Sequence, residues 1–102
     1  MDDEVFNAMT DFQFFCNNYF KQKNIDKLVP KNMLRSDWKI KKEEILNEEV
    51  ANVNLYLDQQ ASLYLQTYNA STNKPDIEKR FAAIITKAID SYKLKLKEYY
   101  LY

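Results

Sequence analysis

The sequence predicts an all-α fold, a small bundle of three main helices. Three observations predict it. The chain of 102 residues has no glycine and only two prolines, Pro30 and Pro75. Sheets and tight hairpins lean on glycine for the positive φ of their turns. Apolar residues also recur at helical spacing over three long stretches, and the prolines fall at the breaks between them.

The first helix is expected over about residues 2 to 22. Val5, Met9, Phe12, Cys16 and Tyr19 recur at intervals of four and three, with Ala8 and Phe15 widening the stripe. Asp2, Asp3 and Glu4 lie at its start and Lys21 and Lys23 at its end, as the helix dipole favours. Residues 23 to 35 form a connector that Pro30 keeps from being one helix. Ile25, Leu28, Val29, Met33 and Leu34 make it too apolar for a free linker. It is expected to pack on the core as short helical turns.

The central helix is expected to begin near Ser36 and Asp37, a plausible N-cap. Its stripe runs through Leu46, Val50, Val53, Leu57, Ala61, Tyr64 and Tyr68. Within it the triplet Leu-Tyr-Leu occurs twice, at residues 55–57 and 63–65. A hairpin of two short strands would have to turn through Gln59 and Gln60, and neither favours a positive φ. The helical reading is therefore preferred. It places Ile45, Tyr56 and Leu63 in a second narrow row and points Leu55 away from both rows. An unbroken helix from 36 to 68 is about 50 Å long, more than the first helix can cover. Either it breaks near Asn47, or its two ends serve separate packing units.

Residues 69 to 74, Asn-Ala-Ser-Thr-Asn-Lys, form a polar break. Pro75 opens the last helix. Its stripe is Ile77, Phe81, Ile84, Ile85, Ala88, Tyr92, Leu96 and Tyr99. Lys93, Lys95 and Lys97 alternate with apolar residues, which leaves a strand open for residues 92 to 102.

Composition narrows the function. Net charge is zero, against a generally basic nucleic-acid binder. Histidine is absent and Cys16 is alone, which excludes the usual structural zinc sites and histidine-activated nucleophiles. No cofactor or metal is expected, and no enzyme activity. The start, MDDEVF, is acidic where a signal peptide is basic, and no apolar run reaches a membrane span. A soluble intracellular protein is expected.

Each half of the chain reads as helix, loop, proline, helix. A shift of 49 residues superposes Ala8, Phe12, Phe15 and Tyr19 on Leu57, Ala61, Tyr64 and Tyr68. The single domain is therefore also readable as two tandem, weakly similar helical-hairpin motifs, residues 1–46 and 47–102. With halves beginning MDDEVFNAMTDFQFF and NEEVANVNLYLDQQASLYL, the chain resembles the small uncharacterised proteins of archaeal filamentous viruses. That resemblance rests on length and motif layout. It implies an interaction protein in a host cytoplasm and transfers no functional residue.

The leading expectation is a non-enzymatic protein–protein interaction module. It binds a peptide, a protein or a second copy of itself in a groove between the halves, lined by residues such as Trp38, Tyr56 and Leu63. Phe14 and Leu55, opposite their helical stripes, and the terminal Tyr99, Tyr100 and Tyr102 complete the candidate anchors. The alternative is a nucleic-acid-associated protein. Its patch is Lys21, Lys23, Lys27, Lys31, Arg35, Lys39, Lys41 and Lys42, opposed within that segment only by Asp26 and Asp37. Those cations are spread over a loop and two helix ends, and a solvated surface is the simpler account. The same holds for Glu43, Glu44, Glu48 and Glu49 as an acid–base or metal group, and for Ser91 with Lys95 as a nucleophile pair.

Overall fold

The computed structural model describes residues 3–101, so the candidate anchor Tyr102 lies outside the described residues. Three α-helices occur among the described residues: α1 (Asp3–Gln22), α2 (Arg35–Gln66) and α3 (Lys74–Tyr99). A short 3-10 turn (Ile25–Lys27) lies between α1 and α2. No strand occurs among the described residues, and residues 92–99 are helical. The repeated Leu-Tyr-Leu triplets sit on one unbroken helix.

The helices run down, up and down in a rod of 54 × 19 × 18 Å. Side-chain contacts fix the directions. Glu4 at the start of α1 is hydrogen-bonded to Ser71 and Asn73, just before α3. Phe20 near the end of α1 stacks on Tyr92 of α3, ring centroids 5.1 Å apart. Trp38 at the start of α2 meets Tyr100 just past the end of α3, at 5.4 Å. We call the end with the α2–α3 loop the upper end, and the opposite one the lower end.

The core follows the stripes. Phe12 is its centre, 4.5 Å from Phe81 and 5.4 Å from Tyr64 between ring centroids. Val5, Ala8 and Ile77 are buried above it, and Cys16, Val53, Leu57, Ile84, Ile85 and Leu96 around and below it. Two details of the α3 stripe differ from expectation. Ile89 is buried where the sequence reading had left it out, and Tyr100 rather than Tyr99 closes the stripe. Tyr100 follows Leu96 by four residues, so it falls on the same buried face, whereas Tyr99 is turned away from it.

The length mismatch has a simple solution. With 20 and 32 residues, α1 and α2 are about 30 and 48 Å long. Below α1 the connector takes over. Ile25 is buried, and Leu28, Val29 and Met33 pack against the core. The Tyr100 hydroxyl donates to the Ile25 carbonyl and ties the connector to α3. Lys23 pairs with Glu49 of α2 at 2.9 Å. Asn32 adopts φ 69° inside the turn closed by Met33 N to Pro30 O. In a chain without glycine, asparagine is the residue that takes such a position most readily.

The start of α2 departs from expectation. Leu34 is its N-cap, and Ser36 and Asp37 fall inside the first turn. The boundary between the two supposed motifs, residues 46 and 47, falls within unbroken α2, and a duplication is not confirmed.

Candidate functional site

The helix packing leaves a groove on the α2–α3 face, at the lower end and on the side away from α1. It has a volume of about 450 Å³. Its floor is Leu46 and Val50 from α2 and Leu96 from α3, closed below by Tyr100 and Leu101. The intervals explain the floor. Leu46 and Val50 are one helical turn apart, and Leu96 and Tyr100 are likewise four apart, so each pair shares a helix face. Leu46 and Val50 stay half-buried because nothing above them completes their cover.

Three lysines rim this apolar floor. Lys93 and Lys97 stand one turn apart on α3 and are exposed. Lys42 on α2 donates to the Tyr100 carbonyl at 2.8 Å and so caps the C-terminal end of α3. Glu43 and Asn47 are the other polar side chains on the rim. The groove can thus take an apolar stripe flanked by carboxylates.

Several groups beside it are fixed by burial. Burial holds the Tyr100 hydroxyl above its ordinary pKa, so it stays a donor towards the connector. Burial opposes the charge on Lys23, but the Glu49 carboxylate outweighs it and the pKa is raised. Tyr92 is pushed up first by burial and then by the nearby charge of Glu49.

The anchors read from sequence do not form one surface. Trp38, at 7% exposure, and Tyr100 are core residues with tilted rings in contact, not surface anchors. Burial follows from the end of α3 closing over the start of α2. Trp38 is also 18 residues from Tyr56 on α2, about 27 Å along the helix. One groove therefore does not hold Trp38, Tyr56 and Leu63. Tyr56 packs its ring beside Phe15 and Tyr19 at the α1–α2 seam. Leu63, Leu55 and Tyr99 are exposed, and Phe14 is the most exposed aromatic among the described residues, at 72%. Phe14 and Leu55 point outward from different helices.

The basic residues, by contrast, do share a region. Lys21, Lys27, Lys31, Arg35, Lys39 and Lys41 are exposed at the lower end, while Lys23 and Lys42 are held by Glu49 and the Tyr100 carbonyl. With Lys93, Lys95 and Lys97, eleven of the fifteen basic side chains lie below the Phe20–Tyr92 contact. They are interleaved there with seven carboxylates: Asp26, Asp37, Glu43, Glu44, Glu48, Glu49 and Glu98.

The acid quartet of α2 forms no metal site, and no group of side chains able to hold a metal ion occurs among the described residues. Ser91 and Lys95 border a separate cleft of about 370 Å³ between α1 and α3, where Gln13, Asn17 and Lys87 mix with apolar side chains such as Phe20 and Ile84. No helix among the described residues is long and apolar enough to cross a membrane.

Sequence reasoning missed the groove because Leu46, Val50 and Leu96 were read only as core. A signal was present. Lys93 and Lys97 bracket Leu96 at helical spacing, which marks the edge of an apolar stripe rather than its centre. No family model, curated protein or solved structure matches this chain.

Proposed function

We propose that the chain is a non-enzymatic protein-interaction module whose lower α2–α3 groove receives a short, acidic, amphipathic helix. One observation carries the reading: an apolar floor of Leu46, Val50 and Leu96 with Lys93, Lys97 and Lys42 on its rim. Helix-in-groove recognition needs both parts, the floor for an i, i+3, i+4 apolar row and the rim for its flanking charges. The stretch from Lys42 to Val50 is about 12 Å long, so a helix of roughly 10–15 residues spans it.

A labelled peptide of about that length, leucine at helical spacing and glutamate elsewhere, is the probe. It binds the full chain in a fluorescence anisotropy titration, and its counterpart with lysine for glutamate does not. Lys93→Glu with Lys97→Glu weakens the first peptide roughly tenfold. Equal binding of both peptides, or no effect of the lysine changes, overturns the reading.

A second reading has its own observation, the gathering of eleven cations at the lower end. It makes the chain a nucleic-acid-associated protein using Lys21, Lys27, Lys31, Arg35, Lys39 and Lys41. The seven interleaved carboxylates weigh against it, since phosphate-tracking surfaces depend on an uninterrupted positive field. A single-stranded oligonucleotide that outcompetes the acidic peptide, with a steep loss of affinity in salt, transfers the function to this reading.

A further inference from the structure

The same α2–α3 face carries a second groove at its upper end, with a volume of about 230 Å³. Its character is the reverse of the lower one. Its charged lining residues are Asp58 and Glu78, with no basic side chain among the described residues that line it. Leu65, Phe81 and Ile85 are its larger apolar side chains, as Leu46, Val50 and Leu96 are those of the lower groove. One face thus holds a half with three lysines and one glutamate and a half whose charged lining residues are both carboxylates.

We propose that this face is the self-association surface of the protein, and that two copies pack on it antiparallel about a two-fold axis. The proposal rests on the groove being a docking site and takes a second copy as the source of the acidic helical face. An isologous contact requires a surface complementary to itself after a half-turn. This face meets that condition in charge. The axis lies in the plane of contact and crosses the bundle at Asn54 of α2 and Ile89 of α3. Those residues are midway between the two grooves on their helices. Reversing one copy about that line sets Asp58 at the level of Lys93 on the second copy, and Glu78 near the level of Lys97.

The area is consistent with a dimer of modest strength. From Glu43 to Leu65 the face is about 33 Å long, and the rod is 18 Å across in its narrower direction. Each copy therefore buries roughly 600 Å², about 1,200 Å² in total, at the lower edge of specific interfaces. Such a dimer loosens in salt, because its exposed charge pairs are screened.

The test is a pair of charge reversals at exposed positions. Variant one is Lys93→Glu with Lys97→Glu, and variant two is Asp58→Lys with Glu78→Lys. Sedimentation equilibrium at low salt and tens of micromolar protein reads the mass, and circular dichroism confirms folding of each variant. The wild type is expected to dimerise. Each variant alone is monomeric, because like charges now face each other, and an equimolar mixture restores a dimer containing one of each. In addition, Asn54→Cys forms a disulfide-linked dimer under mild oxidation, and Asn7→Cys on the outer side of α1 does not. A monomeric wild type overturns the proposal, as do variants that dimerise alone or fail to pair when mixed. A monomeric wild type that still binds the leucine–glutamate peptide removes only the second copy. Loss of both removes the groove reading as well.

Discussion

Replacing Leu57 by alanine and, separately, Leu55 by alanine tests the helix that organises the whole molecule. The two leucines are two residues apart in the same Leu-Tyr-Leu triplet. In a strand they point to one face, and in a helix they are 200° apart. Leu57 is 0% exposed within the central core, and Leu55 is 58% exposed. Truncating Leu57 forfeits the transfer energy of buried groups at about 0.8 kcal/mol each, plus the cost of the cavity left behind. About 3 kcal/mol is expected, within a range of roughly 2–5 kcal/mol. A chain of this length holds about 5–15 kcal/mol in all, so the melting temperature drops by roughly 12–24 °C. Leu55→Ala stays within about 0.5 kcal/mol, because its side chain is largely in water and alanine suits a helix. Urea unfolding followed by circular dichroism, at constant m-value, reads both numbers. Equal losses at the two sites, or a loss below about 1 kcal/mol at Leu57, refute the face assignment and the packing built on it.

Two further outcomes are expected from the lower end and from the core. Tyr100→Phe removes the hydroxyl that donates to the Ile25 carbonyl; it lowers stability by about 1 kcal/mol and speeds amide exchange in residues 23–34 more than in α1 or α2. Burial pushes the Cys16 thiol up to about 11 from an ordinary value of 9.0, so the native protein resists a thiol reagent at pH 8 and reacts once unfolded. The unfolded chain then loses that proton first as pH rises. The Cys16 contribution is therefore whole below pH 9 and is lost as pH climbs towards 11. A denaturant midpoint that stays level from pH 8 to 11 contradicts this.

What the sequence made legible was local. Periodicity located all three helices, put Leu57 and Phe81 inside, and turned Phe14 and Leu55 outward, because a helical stripe reports its own buried face. What it did not show depends on where distant segments land. Trp38 and Tyr100 are 62 residues apart, and either alone reads as an exposed aromatic near a chain break. Their burial follows only once α3 is known to end beside the start of α2. The same holds for the cations. Lys21, Lys31, Lys39 and Lys97 belong to four segments, and only the down-up-down order brings them to one end. The connector was legible in composition, since Ile25 and Leu28 are costly in water. Its role as cover for the core below α1 was not.

The uneven charge of the rod has a partly local cause, and separating that part identifies which residues argue for self-association. Both α1 and α3 end at the lower end, where their dipoles favour cations, and Lys21 and Lys97 lie in their last turns. Asp3, Glu4 and Asp76 occupy the first turns of the same helices at the upper end. Those charges are accounted for within single helices. Asp58 and Lys93 are not. Dipole effects fade beyond the terminal turn, and Lys93 is six residues short of the end of α3. Asp58 lies in the C-terminal half of α2, whose terminus favours cations, and it has no ion pair among the described residues. These two exposed, opposite charges, one in each groove of the same face, are set at one level by the antiparallel pairing. Exchanging their signs within one chain, Asp58→Lys with Lys93→Glu, preserves the attraction between two copies. Either reversal alone sets like charges together. A doubly exchanged chain that dimerises while both single variants fail would assign the pair to the interface, because no contribution from helix dipoles predicts that pattern.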